Sequence, residues 1–437
     1  MAVFGAPVLV GAPKTTLAWI EGPIREALRT ALGVPRTTPL RSLYAETSYI
    51  PLKERIRMKA LKIGIVNFSR GKYSPLHRIL ATKEGILYYK WRKNQQPYVA
   101  WLYEEASRSK IPINRIYRQQ SVPPEAEAVR RRLSLTDYRE VEGLLPEAYR
   151  AHFCWITDNK WPKWILMGVD ASKSEGHTFL GIVIPSQGRS GAWLLNEACS
   201  VFGAEAQGLL WSLRVMGKVK EPCAVFSDSL SVLTAVANVG FSSPGVIIDF
   251  AAGLGLRQEA CVAGWTPGHT GVLINEGADR LARVGEPDGS IWRALMPRDV
   301  ARADRVRVIH RLTECWTSDL RRKGREYLCP FANWHYKFAS NRYMETVLAR
   351  LHTETAPLND FLHSRRLHDT PQCPHCKERE TAAHFWLECP EYANARRDLG
   401  TALGVRLTDK STMWEIYAPT TKITPRHLVV ALEAYIA

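Results

Sequence analysis

Trp164-Ile165-Leu166-Met167-Gly168-Val169-Asp170-Ala171-Ser172 is the stretch that decides the fold. Trp164 to Val169 form an unbroken apolar run, as a strand buried on both faces requires, and a carboxylate ends it. Working outward, His177 to Pro185 and Gly191 to Ser200 read as two further strands, and Cys223 to Phe226 and Cys261 to Trp265 as the fourth and fifth. Ala206, Leu209, Leu210 and Leu213 fall at i, i+3, i+4 and i+7, the stripe of an amphipathic helix. Leu230 to Ala237 and Val246 to Leu256 read as helices, and Ala278, Leu281, Ala282 and Gly285 repeat the stripe. Hairpins come first and strand–helix units follow. The expected class is therefore α/β, with a mixed five-stranded sheet and packed helices over residues 161–290.

The 437 residues are too many for one ordinary domain. With 46% hydrophobic and 23% charged residues the composition is globular, which excludes a disordered or fibrous chain. The net charge of +16 points to an acidic partner, nucleic acid foremost. That charge is uneven. Residues 1–120 hold 21 basic and 7 acidic side chains, 121–159 hold 5 and 7, 160–290 hold 10 and 12, and 291–437 hold 23 and 17. The basic flanks would therefore supply much of the grip on a polyanion.

Residues 1–120 read as mostly helical, with Ile20 to Leu32 ending at Gly33 and a two-proline break at Val34-Pro35-Arg36-Thr37-Thr38-Pro39. Arg55 to Ile65 is a helix whose Arg55, Arg57, Lys59 and Lys62 are either a solvated face or a phosphate-contact surface. Residues 121–160 read as a linker with one helix; solvated charge is the simpler reading of Arg130-Arg131-Arg132, nuclear import or phosphate contact the alternative. Residues 300–370 and 393–437 read as helical, separated by a cysteine-rich insert at 371–392. No run approaches the ~18–20 apolar residues that span a membrane, and Met1 to Val10 lacks the basic start of a signal peptide.

Four acids stand where strand and helix logic makes them unusual. Asp170 ends an apolar strand, Asp228 follows Val225-Phe226-Ser227, Glu205 lies in the first turn of a helix, and Asp279 borders the stripe of the last helix. Singly, Asp228 with Ser229 could cap a helix and Glu205 could favour a helix N-terminus. Gathered at one end of a sheet, they would repel one another unless cations lie between them. Hard oxygen donors suit two Mg²⁺ or Mn²⁺ ions, which can activate water for phosphodiester cleavage. The Gly-rich loop Trp265-Thr266-Pro267-Gly268-His269-Thr270-Gly271 precedes Asn275-Glu276-Gly277-Ala278-Asp279 and could carry His269 to the same place.

Nine cysteines, an odd number thinly spread, argue for reduced intracellular thiols and not a disulfide framework. Cys373, Cys376, His384 and Cys389 have the C-x2-C-x7-H-x4-C spacing of a closed, structural tetrahedral Zn²⁺ site. His375, between the first two cysteines, reads as a spectator. Cys154, Cys199, Cys223, Cys261, Cys315 and Cys329 read by default as core residues.

The acid set with its neighbours, Val169-Asp170-Ala171-Ser172, Ala204-Glu205, Ser227-Asp228-Ser229 and the His269 loop with Asn275-Glu276-Gly277-Ala278-Asp279, resembles the type I ribonuclease H family over roughly 163–285. The resemblance implies a ribonuclease-H-like fold that cleaves the RNA strand of an RNA–DNA hybrid. It further implies that Asp170, Glu205, Asp228 and Asp279 bind two Mg²⁺ and that His269 assists proton transfer or product release. Two departures are Ala171, where Gly is common, and the lack of a basic insertion within 160–290. The flanks sharpen the likeness. Leu28 to Leu43 is similar to the segment after the reverse transcriptase of non-LTR, LINE-like retrotransposons. Arg350-Leu351-His352-Thr353-Glu354, Leu358-Asn359 and the cluster ending Cys389-Pro390 resemble the tail of the same polyproteins. No Tyr-x-Asp-Asp motif is present, so reverse transcription is not expected. The chain looks like the C-terminal third of such a polyprotein, resident in nucleus or cytoplasm. A ribonuclease H is the expected activity; the competing expectation is a non-catalytic nucleic-acid-binding relic using the basic N-terminal segment and the zinc knuckle.

Overall fold

The computed structural model describes residues 4–71, 74, 75, 78, 96–111, 115–119, 121–138, 143, 145–284, 295–322, 338–407 and 425–436. The chain divides into two compact units, Met58–Asp304 and a second made of Met1–Arg57 with Arg305–Ala437. The main helices in chain order are α1 (Lys14–Leu32), α2 (Leu40–Glu46), α3 (Leu52–Ser69), α4 (Tyr98–Arg108), α5 (Pro146–Lys160), α6 (Val201–Met216) and α7 (Leu230–Ala237). They continue with α8 (Gly245–Leu256), α9 (Leu273–Val284), α10 (Pro297–Arg322), α11 (Arg342–His352), α12 (Asn359–Ser364), α13 (Ala393–Leu403) and α14 (Pro425–Ile436).

The first unit is α/β. Its sheet comprises β1 (Leu133–Ser134), β2 (Ile165–Ser174), β3 (His177–Ile184), β4 (Arg189–Leu195), β5 (Cys223–Ser227) and β6 (Cys261–Trp265), in the spatial order β1-β6-β5-β2-β3-β4. Neighbours from β1 to β2 run parallel, and β2-β3-β4 form antiparallel hairpins. The sheet is thus mixed, with six strands where the sequence predicts five. The extra one, β1, lies in the segment read as a linker, and a two-residue strand has no periodicity to detect. Residues 121–134 are part of the sheet unit, with Ala126 and Val129 fully buried in its core. Within the Arg triplet, Arg130 Nε donates to Ala237 O at 2.7 Å and Arg132 Nη2 to Arg257 O at 2.6 Å. Those two guanidiniums tie the segment to the sheet unit.

Strand β2 is longer than its apolar run. It pairs with β5 only as far as Gly168↔Phe226 but with β3 as far as Ser174↔His177. The hairpin closes through Glu175 and Gly176, both at positive φ, the backbone that a tight two-residue turn needs. Asp170 therefore lies inside β2, not at its end. The expected strand Gly191 to Ser200 also stops early, at Leu195, because Ser200 caps α6 by accepting Gly203 N–H at 3.1 Å.

Side chains alternate across the sheet. Met167, Val169, Leu180 and Ile182 face a core shared with Leu209, Phe250 and Leu254 of α6 and α8. Leu166, Ala224 and Phe226 face a second core with Phe153, Trp161 and Ile274. On that second face α9 lies almost on the strands: a Cβ at Gly181 would sit 2.2 Å from Ala278 O, and one at Gly168 2.3 Å from Ile274 O.

The second unit is helical. Trp386 is fully buried among Leu348, Leu351, Leu399, Leu403 and Leu432. The segments around Leu28–Leu43 and Arg350–Glu354 meet inside it. Arg350 Nε donates to Gly33 O at 2.8 Å, Leu32, Val34 and Leu43 pack with Ala349, and His352 Nδ1 lies 2.6 Å from Glu46 Oε2, both buried. Arg55 Nη1 donates to Tyr49 Oη at 2.8 Å and Arg57 pairs with Glu54 at 3.0 Å, so this turn of α3 is a partnered face.

Replacing Gly181 by alanine should push α9 off β3. The expected loss is about 1–3 kcal/mol, the usual cost of overpacking where backbone must yield. Denaturant unfolding of the parent and Gly181→Ala proteins measures it, and equal midpoints would contradict the close helix–strand contact.

Candidate functional site

The register step in β2 builds the site. Past Gly168, β2 has lost β5 as a neighbour, and the chain of β5 turns away at Asp228. Asp170 reaches the gap from the α9 face. Glu205 reaches it from α6, on the other face. The carboxylates of Asp170, Glu205 and Asp228 each place an oxygen within 4.8 Å of the others.

Backbone and hydroxyl donors fix the three. Ala171 N–H lies 2.8 Å from Asp170 Oδ1 and 3.0 Å from Glu205 Oε1. Ser227 Oγ donates to Glu205 Oε2 at 2.9 Å and accepts Ser229 N–H at 3.1 Å. Asn275 Nδ2 lies 3.4 Å from Asp228 Oδ2, and Trp265 Nε1 donates to Asp228 O at 3.1 Å. Gly268 leaves room beside them, since a Cβ there would come 2.4 Å from Asp228 Oδ2 and displace that carboxylate. Asp228 and Ser229 give no side-chain cap to α7, so the simple capping role for this Asp fails.

Burial and mutual repulsion keep these acids protonated unusually far up in pH. Desolvation, then the charge of Asp228, pushes Asp170 to about 7. Burial, with Asp170 and Asp228 nearby, holds Glu205 well above the usual carboxylate range. Asp228 is also raised by burial, with Asn275 and His269 opposing. Among the described residues, no Lys or Arg forms an ion pair with any of the three. The donor set is all oxygen and short of countercharge, and a divalent cation would favour its ionised form. It suits a hard divalent cation, and these three residues could hold one.

Asp279 borders the triad on its Asp170 side. It also pairs with Arg283 Nε at 2.8 Å, and His269 Nδ1 lies 3.7 Å away. His269, Glu276 and Asp279 form a second group within 4.8 Å. Glu276 also accepts Gly271 N–H at 3.1 Å, which ties the His269 loop to the start of α9. His269 itself is largely exposed and at positive φ. Ser227, Asn275, Glu276 and Arg283 were not assigned site roles from the sequence. The dense polar run 275–283 was the available signal for three of them; Ser227 had none.

The cysteine cluster assembles as its spacing predicts. Cys373, Cys376, His384 and Cys389 each place a ligand atom within 4.8 Å of the others, with Cys376 Sγ 3.2 Å from His384 Nε2. The other ring nitrogen, Nδ1, faces Glu388 at 3.6 Å, the carboxylate–histidine arrangement that orients a metal ligand. Burial pushes the Cys373 thiol up, but the N–H groups of Cys376 and His375 outweigh it, and Cys373 falls below the usual thiol range. Three sulfurs and one imidazole nitrogen in a closed set fit Zn²⁺. His375 points elsewhere, toward Glu391 and Tyr392. The described cysteines are free thiols; Cys199, Cys223 and Cys261 are core residues as expected, Cys154 and Cys315 are exposed instead, and Cys329 lies outside the described residues.

No protein-family model matches the chain, and no curated protein sequence matches it. No helix among the described residues is long and apolar enough to cross a membrane.

Because the folded state raises the acid pKa values, it holds more protons than the unfolded chain between about 3.8 and about 7. This site's contribution to stability is therefore present at low pH and lost as pH rises through that window. Mn²⁺ should restore it: the melting temperature should rise on adding Mn²⁺ above pH ~7 and much less near pH ~5. Asp170→Asn should flatten the response, and thermal melts across pH with and without Mn²⁺ check this.

For the zinc cluster, native mass spectrometry should find one zinc per chain. Cys376→Ser should lose it and His375→Ala should keep it. Loss of metal in both variants, or in neither, would contradict the ligand set.

Proposed function

We propose that the α/β unit is a divalent-metal-dependent nuclease of the ribonuclease H type, cutting the RNA strand of RNA–DNA hybrids. The observation that carries this reading is the convergence of Asp170, Glu205 and Asp228, from three separate elements, within 4.8 Å in a half-sheltered gap at the sheet. Such a cluster is costly to a fold and is relieved by cations. Its elements also follow the chain order of the family that the motifs resemble: an Asp on the first long strand, a Glu on the helix after the hairpins, and an Asp after the next strand.

Bound divalent ions would supply activation of a water and stabilisation of the leaving oxygen. The protein's part is positional. Ala171 N–H and Ser227 Oγ hold Glu205 in place, and Asn275 and Gly268 set the position of Asp228. His269, exposed on its loop 3.7 Å from Asp279, would take or give a proton at Nδ1 or Nε2. Asp279, which adjoins Asp170, would be the fourth acid to hold the ions.

The retrotransposon likeness belongs to the same proposal. Its support is that the two resembling flanks pack together through Arg350 and Gly33. The zinc cluster would serve as a structural knuckle beside them. Free thiols and the basic charge suit an intracellular, nucleic-acid-handling protein.

The test is cleavage of a labelled RNA–DNA hybrid in Mg²⁺. The parent should cut the RNA strand only. Asp228→Asn should fall by more than about a hundredfold, since even residues behind metal ligands are worth 10–100-fold. A folded parent that does not cut, or an active Asp228→Asn, overturns the reading.

A further inference from the structure

The sheet unit carries a groove that the acid site does not use. Its volume is 750 Å³, and Lys62, Arg70, Arg298, Phe241, Pro244 and Met296 are among its walls. No Asp or Glu lines it among the described residues. The neighbouring carboxylate, Asp299, is 1% exposed, and burial raises its pKa against the opposing effects of its Ser200 hydrogen bond and the Arg298 charge. Lys62, Arg70 and Arg298 are all exposed. Arg298 is set in place by stacking its guanidinium 3.8 Å from the centroid of the Phe202 ring.

The groove is built, not incidental. Its walls come from the end of α3, Gln119 and Ser121, the α7–α8 loop and the start of α10. Gln119 ties three of these together: its N–H donates to Ser69 O at 2.6 Å, and its Nε2 donates to Ser243 O at 2.6 Å. Leu295 bonds to the backbone just before Gln119, its O accepting Tyr117 N–H at 2.7 Å and its N–H donating to Arg115 O at 2.8 Å, which fixes this stretch of chain. Gly245 lets it pass, since a Cβ there would be 2.1 Å from Arg118 O. On this fixed frame Phe241 is 86% exposed. A large aromatic ring held out by an anchored loop, above an apolar floor and among three cations, matches one ligand chemistry well: a planar base for the ring and phosphates for the cations.

We infer that this groove binds single-stranded nucleic acid, stacking an unpaired base on Phe241 and neutralising its backbone with Lys62, Arg70 and Arg298. The inference leans on the proposed function only for the class of ligand. It concerns binding, so hybrid cleavage can fail while it stands. It also supplies a basic surface to a domain whose residues 160–290 carry 10 basic against 12 acidic side chains.

The test is fluorescence anisotropy with the full chain and a single-stranded DNA of about 12 nucleotides, beside a blunt DNA duplex. Phe241→Ala, at a site exposed enough to leave folding intact, should weaken single-strand binding by about 5–100-fold, the span of one base–aromatic stack. Duplex binding should change far less. Lys62→Ala and Arg70→Ala should each lower the slope of log affinity against log salt by about 0.7. Unchanged single-strand affinity in Phe241→Ala overturns the inference, as does an equal loss for a polyglutamate peptide, which would make the groove a surface for acidic polypeptide.

Discussion

Glu205 is nearly inaccessible, yet both of its oxygens are engaged across the sheet, one by Ala171 N–H at 3.0 Å and the other by Ser227 Oγ at 2.9 Å. It thereby stitches α6 to β2 and β5 at the point where those strands part. Two further carboxylates, Asp170 and Asp228, crowd the same point. A buried group of like charges is tolerated only when it is protonated, paired or bound to cations. The dipoles around Glu205 set the geometry, and the shortage of countercharge sets the chemistry.

The rest of the α/β unit positions this group. Gly168 and Gly181 let α9 settle on the sheet, which carries Asn275 to Asp228 and Asp279 to the side of Asp170. Gly268 lets the loop before α9 pass the Asp228 carboxylate. The His269 loop is then fastened by Glu276 to Gly271 N–H. Small residues thus serve function here through close approach, each at a place where a methyl group would meet backbone or the site itself.

Much of this was legible in the sequence where a residue's chemistry was local. The Cys373–Cys389 spacing forecasts its own cluster because all four ligands lie within one short segment. The apolar run 164–169 forecasts a central strand because burial on both faces leaves no alternation. Asp170 was misplaced at a strand end because β2 stays antiparallel to β3 after leaving β5, and pairing between strands is not written in either strand alone. The sixth strand was missed because its two residues have no pattern. Asp279 is joined to the other acids by motif, and in the structure it adjoins Asp170 while also pairing with Arg283, one helical turn on; an i,i+4 pair of this kind is readable in sequence. In the Arg triplet, Arg130 and Arg131 are exposed, as the solvated-charge reading expects, while the carbonyl contacts of Arg130 and Arg132 have no local sequence signal.

The central claim is that Asp170, Glu205 and Asp228 enclose a divalent cation. The most direct measurement is anomalous scattering from crystals soaked in Mn²⁺. The account predicts a peak with oxygens of these carboxylates within about 2–2.5 Å of it. Ordered carboxylates with no peak among them, at a Mn²⁺ concentration that loads other sites in the crystal, would contradict it.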